Sequence, residues 1–435
     1  MVGLKKKYDV IVVGAGVAGL NCALHLPQDK SVLVLCKGKP TESDSYLAQG
    51  GICMMRGAGD FDGYFEDTMR AGHYENNPET VRCMLENSGQ LIADLELCGV
   101  EFAKDEEGNF RFTREGGHSR PRILFHEDCT GQEITSKLHG KVSGRKNVRL
   151  QPYFTVLDIL EYGGECAGVV ASDGHGGVHY IYADYVVLAT GGVGGLFSNS
   201  TNFRTLTGDG VAIALRHGVQ CEHLDYIQIH PTTLYSPRRG RRFLISESVR
   251  GEGAVLLNRE GKRFTDELQP RDVVTAAILA EMKKEGSRHV WLDMRTIPSR
   301  ESVAEHFPTI VMRCREEGYD VFSEPIPVVP SQHYFMGGIK SNLQGETSMP
   351  RLFAVGETCC NGVHGKNRLA SNSLLESLLF AKRAGLFITK TYTPLPLSAG
   401  EEAERAVDQS RYEDAKGLLK EYKKEILKAM EESRK

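Results

Sequence analysis

Hydrophobic runs on either side of a glycine-rich turn open the chain. Residues 8–13 (YDVIVV) and 31–35 (SVLVL) are short and almost continuously apolar, which is typical of parallel strands buried on both faces. Between them, residues 20–26 (LNCALHL) place apolar side chains at helical spacing. The pattern therefore predicts a strand–helix–strand unit at the start of the chain.

Two more apolar runs that end in glycine occur far along the chain. Residues 185–189 (YVVLA) lead into TGGVGG, and residues 351–357 (RLFAVGE) have a similar form. Residues 372–384 follow with helical spacing and with Asn and Ser near the cap position, so a helix is predicted there. The long mixed stretch from about 225 to 336 is predicted to be a domain inserted into a nucleotide-binding domain.

The chain becomes rich in charge from Gly400 onward. Apolar side chains recur there three and four positions apart, at Leu418, Leu419, Tyr422, Ile426 and Met430. This spacing predicts an amphipathic helix packed on the protein surface, with a partner-binding helix as the alternative. The expected organisation is a nucleotide-binding domain in two parts, residues 1–224 and 337–390. Residues 225–336 are expected to form the inserted domain, and residues 400–435 the C-terminal helical segment.

Composition narrows the class of protein. The 435 residues are 40% hydrophobic and 25% charged, and the formal net charge of −4 gives no reason to expect nucleic acid or an anionic membrane as a partner. No apolar stretch is long enough to span a bilayer, and the apolar run after the first lysines breaks into glycines without a signal-peptide cleavage site. We expect a cytoplasmic protein.

The cysteines give no sign of a metal site. Eleven are scattered along the chain without any C-x-x-C spacing, and only Cys359 and Cys360 are adjacent. Iron–sulfur clusters, zinc knuckles and c-type haem are therefore disfavoured, and no metal is predicted. Reduced, buried thiols of an intracellular protein are expected instead.

A nucleotide loop is indicated by Gly14, Gly16 and Gly19, which form G-x-G-x-x-G between the first predicted strand and helix. Glycine permits the tight turn, and the helix N-terminus favours a pyrophosphate through its free N–H groups and its dipole. The second strand ends in Cys36 and Lys37. An acidic residue would bind the ribose there in NAD proteins, so NAD is disfavoured.

Three separate motifs together resemble the signature set of FAD-binding proteins. They are the early glycine loop, the ATGG of residues 189–192 and the VGE of residues 355–357. The resemblance implies that Glu357 hydrogen-bonds the ribityl chain. It also implies that a helix beginning near Ser373 and Leu374 directs its positive end at the flavin pyrimidine ring, where the reduced flavin carries negative charge.

Six polar segments remain that a bare FAD domain does not need. They are residues 113–122 (TREGGHSRPR), 228–232 (QIHPT), 246–253 (SESVRGEG), 270–272 (PRD), 333–338 (HYFMGG) and 364–373 (HGKNRLASNS). In this order they resemble the fumarate reductase/succinate dehydrogenase flavoprotein family, from the N-terminal loop to about Ala384. The resemblance implies an α/β fold with a Rossmann-like FAD-binding domain, an inserted α+β capping domain and a short C-terminal helical tail.

The same resemblance implies the cofactor contacts. The expected FAD-binding residues are Gly14, Ala15, Gly16, Val17, Ala18, Gly19, Lys37, Asp44, Ser45, Ala48, Gln49, Gly50, Gly51, Thr190, Gly191, Asp209, Glu357, Ser373 and Leu374. Asp44 takes the place of the histidine that attaches FAD covalently in membrane-bound members. We therefore expect non-covalent FAD.

Within the family, residues 113–119 and the HGxNR motif of residues 364–368 are similar to the branch that oxidises L-aspartate. Its motif carries a glutamate, here Glu115, that is assigned to the substrate ammonium, a group that succinate lacks. Arg271 matches the family's catalytic arginine at the substrate carbon, an unusual task for a guanidinium, which normally keeps its proton. The implied catalytic residues are Arg271, Glu115 and His230.

The groups implied to hold the substrate are His333, Arg368, Gln228, Ser246 and Ser371, with His230 also directed at a carboxylate. Glu247 and Arg250 are expected to orient Arg271 from behind. His118, His126 and His223 are given no role, the first two as surface residues and the third as a structural residue.

The resemblance implies oxidation of L-aspartate to iminoaspartate, with oxygen or fumarate as the electron acceptor and hydrogen peroxide or succinate as the second product. It also implies a place at the first step of NAD biosynthesis and a hand-off of iminoaspartate to quinolinate synthase. Three alternatives stay open: a soluble fumarate reductase, the electron-transferring subunit of a membrane complex with an iron–sulfur partner, and a non-catalytic FAD-binding module.

Overall fold

The computed structural model describes residues 4–238 and 240–434. Its strands are β1 (Lys7–Val13), β2 (Val32–Cys36), β3 (Ile52–Cys53), β4 (Ile123–Leu124), β5 (Val148–Pro152), β6 (Phe154–Tyr162), β7 (Glu165–Asp173), β8 (Val178–Leu188), β9 (Cys221–Glu222), β10 (Ile227–Leu234), β11 (Val255–Leu257), β12 (Val290–Asp293), β13 (Ile326–Phe335), β14 (Gly338–Lys340), β15 (Leu352–Ala354) and β16 (Cys359–Cys360).

The α-helices cover the sheets and line their edges. They are α1 (Val17–Leu24), α2 (Phe61–Ala71), α3 (Pro78–Glu86), α4 (Ser88–Leu97), α5 (Thr130–Ser143), α6 (Asp209–Arg216), α7 (Glu247–Gly251), α8 (Arg271–Glu285), α9 (Arg300–His306), α10 (Pro308–Glu316), α11 (Asn372–Thr391), α12 (Leu397–Ala406) and α13 (Ala415–Ser433). Within the described residues, no helix combines the length and the apolar character needed to cross a membrane.

The predicted strand–helix–strand unit lies at the centre of a seven-stranded sheet. β1 pairs in parallel with β2 on one side and with β8 on the other, so that Ile11 stands opposite both Leu33 and Val186. β5 extends the sheet beyond β2, β15 adds in parallel to the end of β8, and β7 and β6 add antiparallel strands. Because the central strands are buried on both faces, their sequences are almost continuously apolar. The expected Rossmann-like α/β fold is confirmed.

A second sheet is built from the chain between β10 and β13. Its order is β10-β13-β12-β11, all antiparallel, and α8, α9 and α10 belong to the same stretch. The sheet has its own core, in which Leu256, Ile278, Leu292 and Val328 are fully buried. We call residues 227–335 the capping unit, because it covers the carboxyl ends of the central parallel strands.

The C-terminal helix α13 buries one face against α6 and β6. Leu418, Tyr422, Ile426 and Met430 lie in the same core cluster as the central sheet, and the Tyr422 hydroxyl donates to the Leu157 carbonyl over 2.5 Å. Leu419 is half-buried. The apolar stripe of this helix is thus covered by the chain itself.

Replacing Tyr422 with alanine is expected to lower the free energy of unfolding by about 3–5 kcal/mol, because a fully buried aromatic ring is removed and a cavity is left. Urea unfolding followed by circular dichroism measures the change. Lys424→Ala, on the exposed face of the same helix, is the matched control and should stay within about 0.5 kcal/mol of the parent protein. Equal effects of the two substitutions would contradict the packing described.

Candidate active site

One long cleft runs from the carboxyl end of β1 to the underside of the capping unit. Its walls include the turn between β1 and α1, residues that follow β2 and β8, and the first turn of α11. The capping unit contributes residues from β10, α7, α8 and β13. Open parallel sheets bind their ligands at this edge, so the cleft lies where the fold predicts a dinucleotide.

The turn between β1 and α1 carries only one small side chain, that of Ala15, and its backbone lines the cleft. Gly14 has φ +121°, and a Cβ there would overlap the carbonyl oxygen of Ala189 and lie 2.7 Å from the carbonyl carbon. Gly16 caps α1 without a side-chain hydrogen bond of its own. A pyrophosphate fits such a turn, since the helix N-terminus offers backbone N–H groups and positive potential.

Lys37 and Asp209 meet at the side of this cleft. The Lys37 ammonium pairs with the Asp209 carboxylate and donates to the Thr205 carbonyl over 2.9 Å. Asp209 also accepts from the Thr207 hydroxyl over 2.6 Å. The structure thus brings together two residues that lie 172 positions apart and that the sequence assigned to the cofactor.

The carboxyl groups of two half-buried residues, Asp44 and Glu357, line the cleft. Oδ1 of Asp44 accepts from the Phe203 N–H over 2.9 Å, whereas its Oδ2 has no hydrogen-bond partner in the described part of the chain. Burial raises the pKa of Asp44 to about 7. Glu357 accepts from the Phe335 N–H over 2.9 Å, and burial, assisted by Asp44, raises its pKa to about 8. Carboxyl groups so poorly solvated suit the hydroxyl and ring nitrogen groups of a bound flavin nucleotide.

Four basic side chains converge under the capping unit. They are Arg271, Arg368, His230 and His333, all of which line the cleft and are nearly or fully buried except for the half-buried His333. The two imidazole rings lie 5.1 Å apart at a steep angle. Burial, followed by Arg271, lowers the pKa of both histidines, and burial followed by Arg271 lowers that of Arg368 to about 10.

Polar side-chain atoms without partners in this group suit an anionic ligand. Nδ1 of His230 lies 3.1 Å from the Thr232 carbonyl oxygen and 3.2 Å from the Thr232 N–H, and its Nε2 has no partner among the described residues. Nε of Arg368 is likewise without one, while its Nη1 donates to the Ser373 hydroxyl over 3.0 Å. Buried donors of this kind are costly unless a ligand accepts from them, and a dicarboxylate supplies four acceptor oxygens.

Arg271 is held from two sides at the start of α8. Its Nε donates to Oε2 of Glu247 over 2.5 Å, and its Nη1 donates to Oε1 of Gln228 over 2.8 Å. Arg250 lies 3.4 Å from the other Glu247 oxygen. Burial opposes ionisation of Glu247, but Arg271 and Arg250 outweigh it and hold the pKa of this carboxyl below its ordinary value. Glu247 therefore stays charged and fixes the guanidinium plane of Arg271.

Glu115 is an acidic side chain that lies beside the four basic side chains. Each of its two carboxylate oxygens accepts a hydrogen bond from a serine hydroxyl. Its Oε2 accepts from Ser371 over 2.6 Å and its Oε1 from Ser248 over 2.8 Å. Burial, followed by the nearby Glu247, raises the pKa of Glu115. A Cβ on Gly50 would overlap Oε1, which explains why glycine stands there. Ser371 itself has φ +60°, a strained conformation of the sort that clusters at functional sites.

The cleft gathers nearly all of the residues that the sequence assigned to the site. Three of these residues do not line the cleft. Val17 and Gly19 belong to α1 and are buried, and Gln228 contacts Arg271. Polar residues on the cleft wall that the sequence did not assign to the site include Ser43, Asn202, Thr207, Arg241, Tyr334 and Ser377. Tyr334 lies in the segment 333–338 that the sequence singled out, and Arg241 lies in the basic run of residues 238–242.

One prediction about histidine was wrong. His118 is not a surface residue: it is 2% exposed, accepts at Nδ1 from Arg122 over 2.9 Å and donates from Nε2 to the Ala370 carbonyl over 3.0 Å. Two buried aspartates, Asp60 and Asp67, pair with Arg122 behind it, and such buried ion pairs cannot be read from neighbouring sequence. His126 is half-buried and bonds the Glu101 carbonyl through Nδ1.

Geometry and chemistry of this site define a flavoprotein oxidoreductase whose FAD-binding domain is covered by an inserted unit. Within the described residues, no cluster of histidine, cysteine or acidic side chains is arranged to hold a metal ion. A family profile described as "FAD binding domain" matches residues 9–374. FAD is accordingly the cofactor, and the residues present fit it.

Comparison with known proteins identifies the family to which the chain belongs. The chain is 46% identical to the L-aspartate oxidase of Clostridium perfringens over 96% of its own length and 95% of that protein. It is 46% identical to the L-aspartate oxidase of Clostridium acetobutylicum over 86% of each chain. The FrdA chain of E. coli quinol fumarate reductase superposes with a TM-score of 0.84 at 30% identity, over 98% of this chain and 82% of that one. The chain belongs to the FAD-binding flavoprotein family that includes the L-aspartate oxidases, as its motifs predicted.

Proposed function

We propose that the chain oxidises L-aspartate to iminoaspartate with non-covalently bound FAD. The observation that carries the proposal is the placement of one buried carboxylate, Glu115, beside three buried basic groups and the half-buried His333 in a cleft continuous with the dinucleotide cradle. A ligand that complements this arrangement has two carboxylates and one ammonium. Aspartate has these charges, whereas succinate and fumarate lack the ammonium.

Different side chains of the cleft would bind the carboxylates and the ammonium of the substrate. Arg368, His230 and His333 would bind the two carboxylates, with Arg368 able to do so bidentately. Ser246 lies on the same wall and offers a further hydroxyl. Glu115 would receive the ammonium, and Ser371 would hold Glu115 toward it.

Oxidation removes a hydride equivalent from Cα and a proton from nitrogen, and FAD, when bound, supplies the acceptor for the former. Arg271 would stand at the substrate carbon, fixed by Glu247 and Gln228. Glu115 would orient the ammonium and help to discharge its proton as the C=N bond forms. The surrounding basic groups keep the two substrate carboxylates in place.

Other parts of the proposal follow from the same family. Asp44 stands where covalent attachment of FAD would require a histidine, so non-covalent binding is proposed. Oxygen, giving hydrogen peroxide, or fumarate, giving succinate, would reoxidise the protein. We further propose a cytoplasmic enzyme that opens NAD biosynthesis and passes iminoaspartate to quinolinate synthase.

Glu115→Gln is expected to raise the Michaelis constant for L-aspartate by about 10²-fold or more, since a buried ammonium would lose its charged partner. Inhibition by succinate should persist or strengthen, because the repulsion between carboxylates is removed. Steady-state kinetics with oxygen consumption measures both constants.

Glu281→Gln is the matched control, a buried acid of the capping unit that contacts Asn258 and Lys284 away from the cleft. It should leave both constants unchanged. If Glu115→Gln turned over aspartate normally, the assignment of the ammonium to Glu115 would be wrong.

The second candidate is a fumarate reductase, favoured by the close superposition on the E. coli quinol fumarate reductase chain. Glu115 separates the two functions, because a charged carboxylate at this position repels a dicarboxylate that lacks an ammonium. A fumarate reductase would accept electrons from a donor at full rate without aspartate and would gain nothing from Glu115.

A further inference from the structure

We propose that Ser248 is a specificity-determining positioning residue: by donating its hydroxyl to Oε1 of Glu115, it holds that carboxylate ready for an ammonium and thereby favours amino dicarboxylates over plain ones. This inference deepens the proposed function and rests on it. Ser248 does not line the cleft, so it acts only through Glu115.

Ser248 is fixed in place by the local backbone. It lies in the first turn of α7, 1% exposed, and its own N–H donates to the Ser246 hydroxyl that caps the helix. From there its hydroxyl reaches Oε1 of Glu115 over 2.8 Å. A serine hydroxyl can donate only one proton, and the hydrogen bond commits it to the carboxylate.

The hydrogen bond crosses between two parts of the fold. Ser248 belongs to the capping unit, whereas Glu115 and Ser371 lie outside it. The Glu115 carboxylate is therefore clamped on both oxygens only when the capping unit is seated over the cleft. Each oxygen retains lone-pair capacity beyond the bond to its serine, and that capacity is what an ammonium would use.

The charged groups around Glu115 make its protonation sensitive to the hydrogen bond that Ser248 donates. Burial and Glu247 raise the pKa of Glu115, and the opposing contributions are the hydrogen bond from Ser371, the charge of Arg271 and the hydrogen bond from Ser248. The other charged or titratable groups that interact with this carboxylate are Arg250, Arg368 and Cys53. Because burial already disfavours the ionised form, losing one donor shifts the balance toward the neutral acid.

Loss of this donor has opposite consequences for two ligand classes. A neutral Glu115 no longer pairs with an ammonium, so L-aspartate binds more weakly. The same neutral group no longer repels a plain dicarboxylate, so succinate binds more tightly. A residue that merely supported the fold would weaken both ligands together, and the sign of the succinate effect therefore separates the two roles.

The test uses the flavin-loaded enzyme and its Ser248→Ala variant. Toward the acidic end of the pH range in which the parent enzyme works, the Michaelis constant for L-aspartate should rise by about tenfold and the inhibition constant of succinate should fall by several-fold, as expected when a charged hydrogen bond is lost. As pH rises through the raised pKa of Glu115 in the variant, both constants should return toward the parent values, because the carboxylate is then ionised in both proteins. The turnover number at saturating aspartate should change by no more than about twofold.

Two further variants complete the design. Ser331→Ala removes another buried hydroxyl of the capping unit, one that bonds Thr233 and does not line the cleft, and it should leave both constants unchanged. Ser248→Thr retains a hydroxyl and should restore the preference for aspartate.

If Ser248→Ala weakened aspartate and succinate by similar factors, or moved neither, the inference would be overturned. An error in the proposed function would give a different result: the parent enzyme itself would then not oxidise L-aspartate.

Discussion

Arg368→Leu is expected to abolish turnover of L-aspartate, lowering kcat/KM by about 10³-fold or more while FAD remains bound. The guanidinium is 3% exposed and rests over the Tyr334 ring at 4.5 Å. Its Nε has no protein partner in the described part of the chain, so this donor is free for a carboxylate. In the leucine variant the substrate carboxylate would be buried without a charged partner. Removing one partner of a buried ion pair is strongly unfavourable, because the remaining charge is desolvated and unpaired.

Both the visible spectrum of the purified variant and its oxygen consumption are needed. The spectrum establishes that flavin is still present, and the rate reports the loss of substrate binding. Arg383→Leu is the matched control, because this arginine of α11 donates to the Leu343 carbonyl away from the cleft, and the variant should turn over normally. Normal turnover of Arg368→Leu would remove Arg368 from the substrate site.

Gly14→Ala should yield protein without flavin and with a free energy of unfolding lower by about 3 kcal/mol or more. The added methyl overlaps the end of β8 at Ala189, and φ +121° is a conformation that alanine rarely adopts. To relieve the overlap, the turn must move away from β8, and the N-terminus of α1 moves with it. The pyrophosphate cradle is then lost together with the strand packing.

Flavin content by absorbance and stability by urea unfolding measure the two effects. Gly89→Ala is the control: Gly89 lies in α4, and a Cβ there would meet no atom within 4 Å. Because alanine is the better helix former, this control should gain about 0.5–1 kcal/mol and keep its flavin. Full flavin occupancy in Gly14→Ala would show that the turn does not form the cradle.

The sequence predicted the fold where local patterns are strong. The glycine loop after an apolar run marks β1 and α1, and the third glycine, Gly19, packs its backbone against the Gly14 carbonyl as the motif requires. Gly19 and Val17 both belong to the motif, yet neither lines the cleft. A pattern of this kind reports backbone shape, and it does not say which members face the ligand.

The substrate end depends on long-range assembly. Glu115, Ser248 and Ser371 come from three distant segments, and only the fold brings their side chains together. Resemblance supplied the identity of Glu115, but nothing in the sequence marked Ser248 as its partner. Similarly, His118 lies in a motif rich in arginine, and only the buried ion pairs of Arg122 reveal that this part of the motif is interior.

The most direct test of the central claim is to mix the flavin-loaded protein with L-aspartate in the absence of oxygen and follow the visible flavin absorbance. We predict that L-aspartate bleaches the flavin, whereas succinate and D-aspartate do not, because only L-aspartate presents an ammonium to Glu115 with Cα directed at the flavin. Unchanged colour with L-aspartate, together with reoxidation of the chemically reduced protein by fumarate, would contradict the account and would make the chain a fumarate reductase.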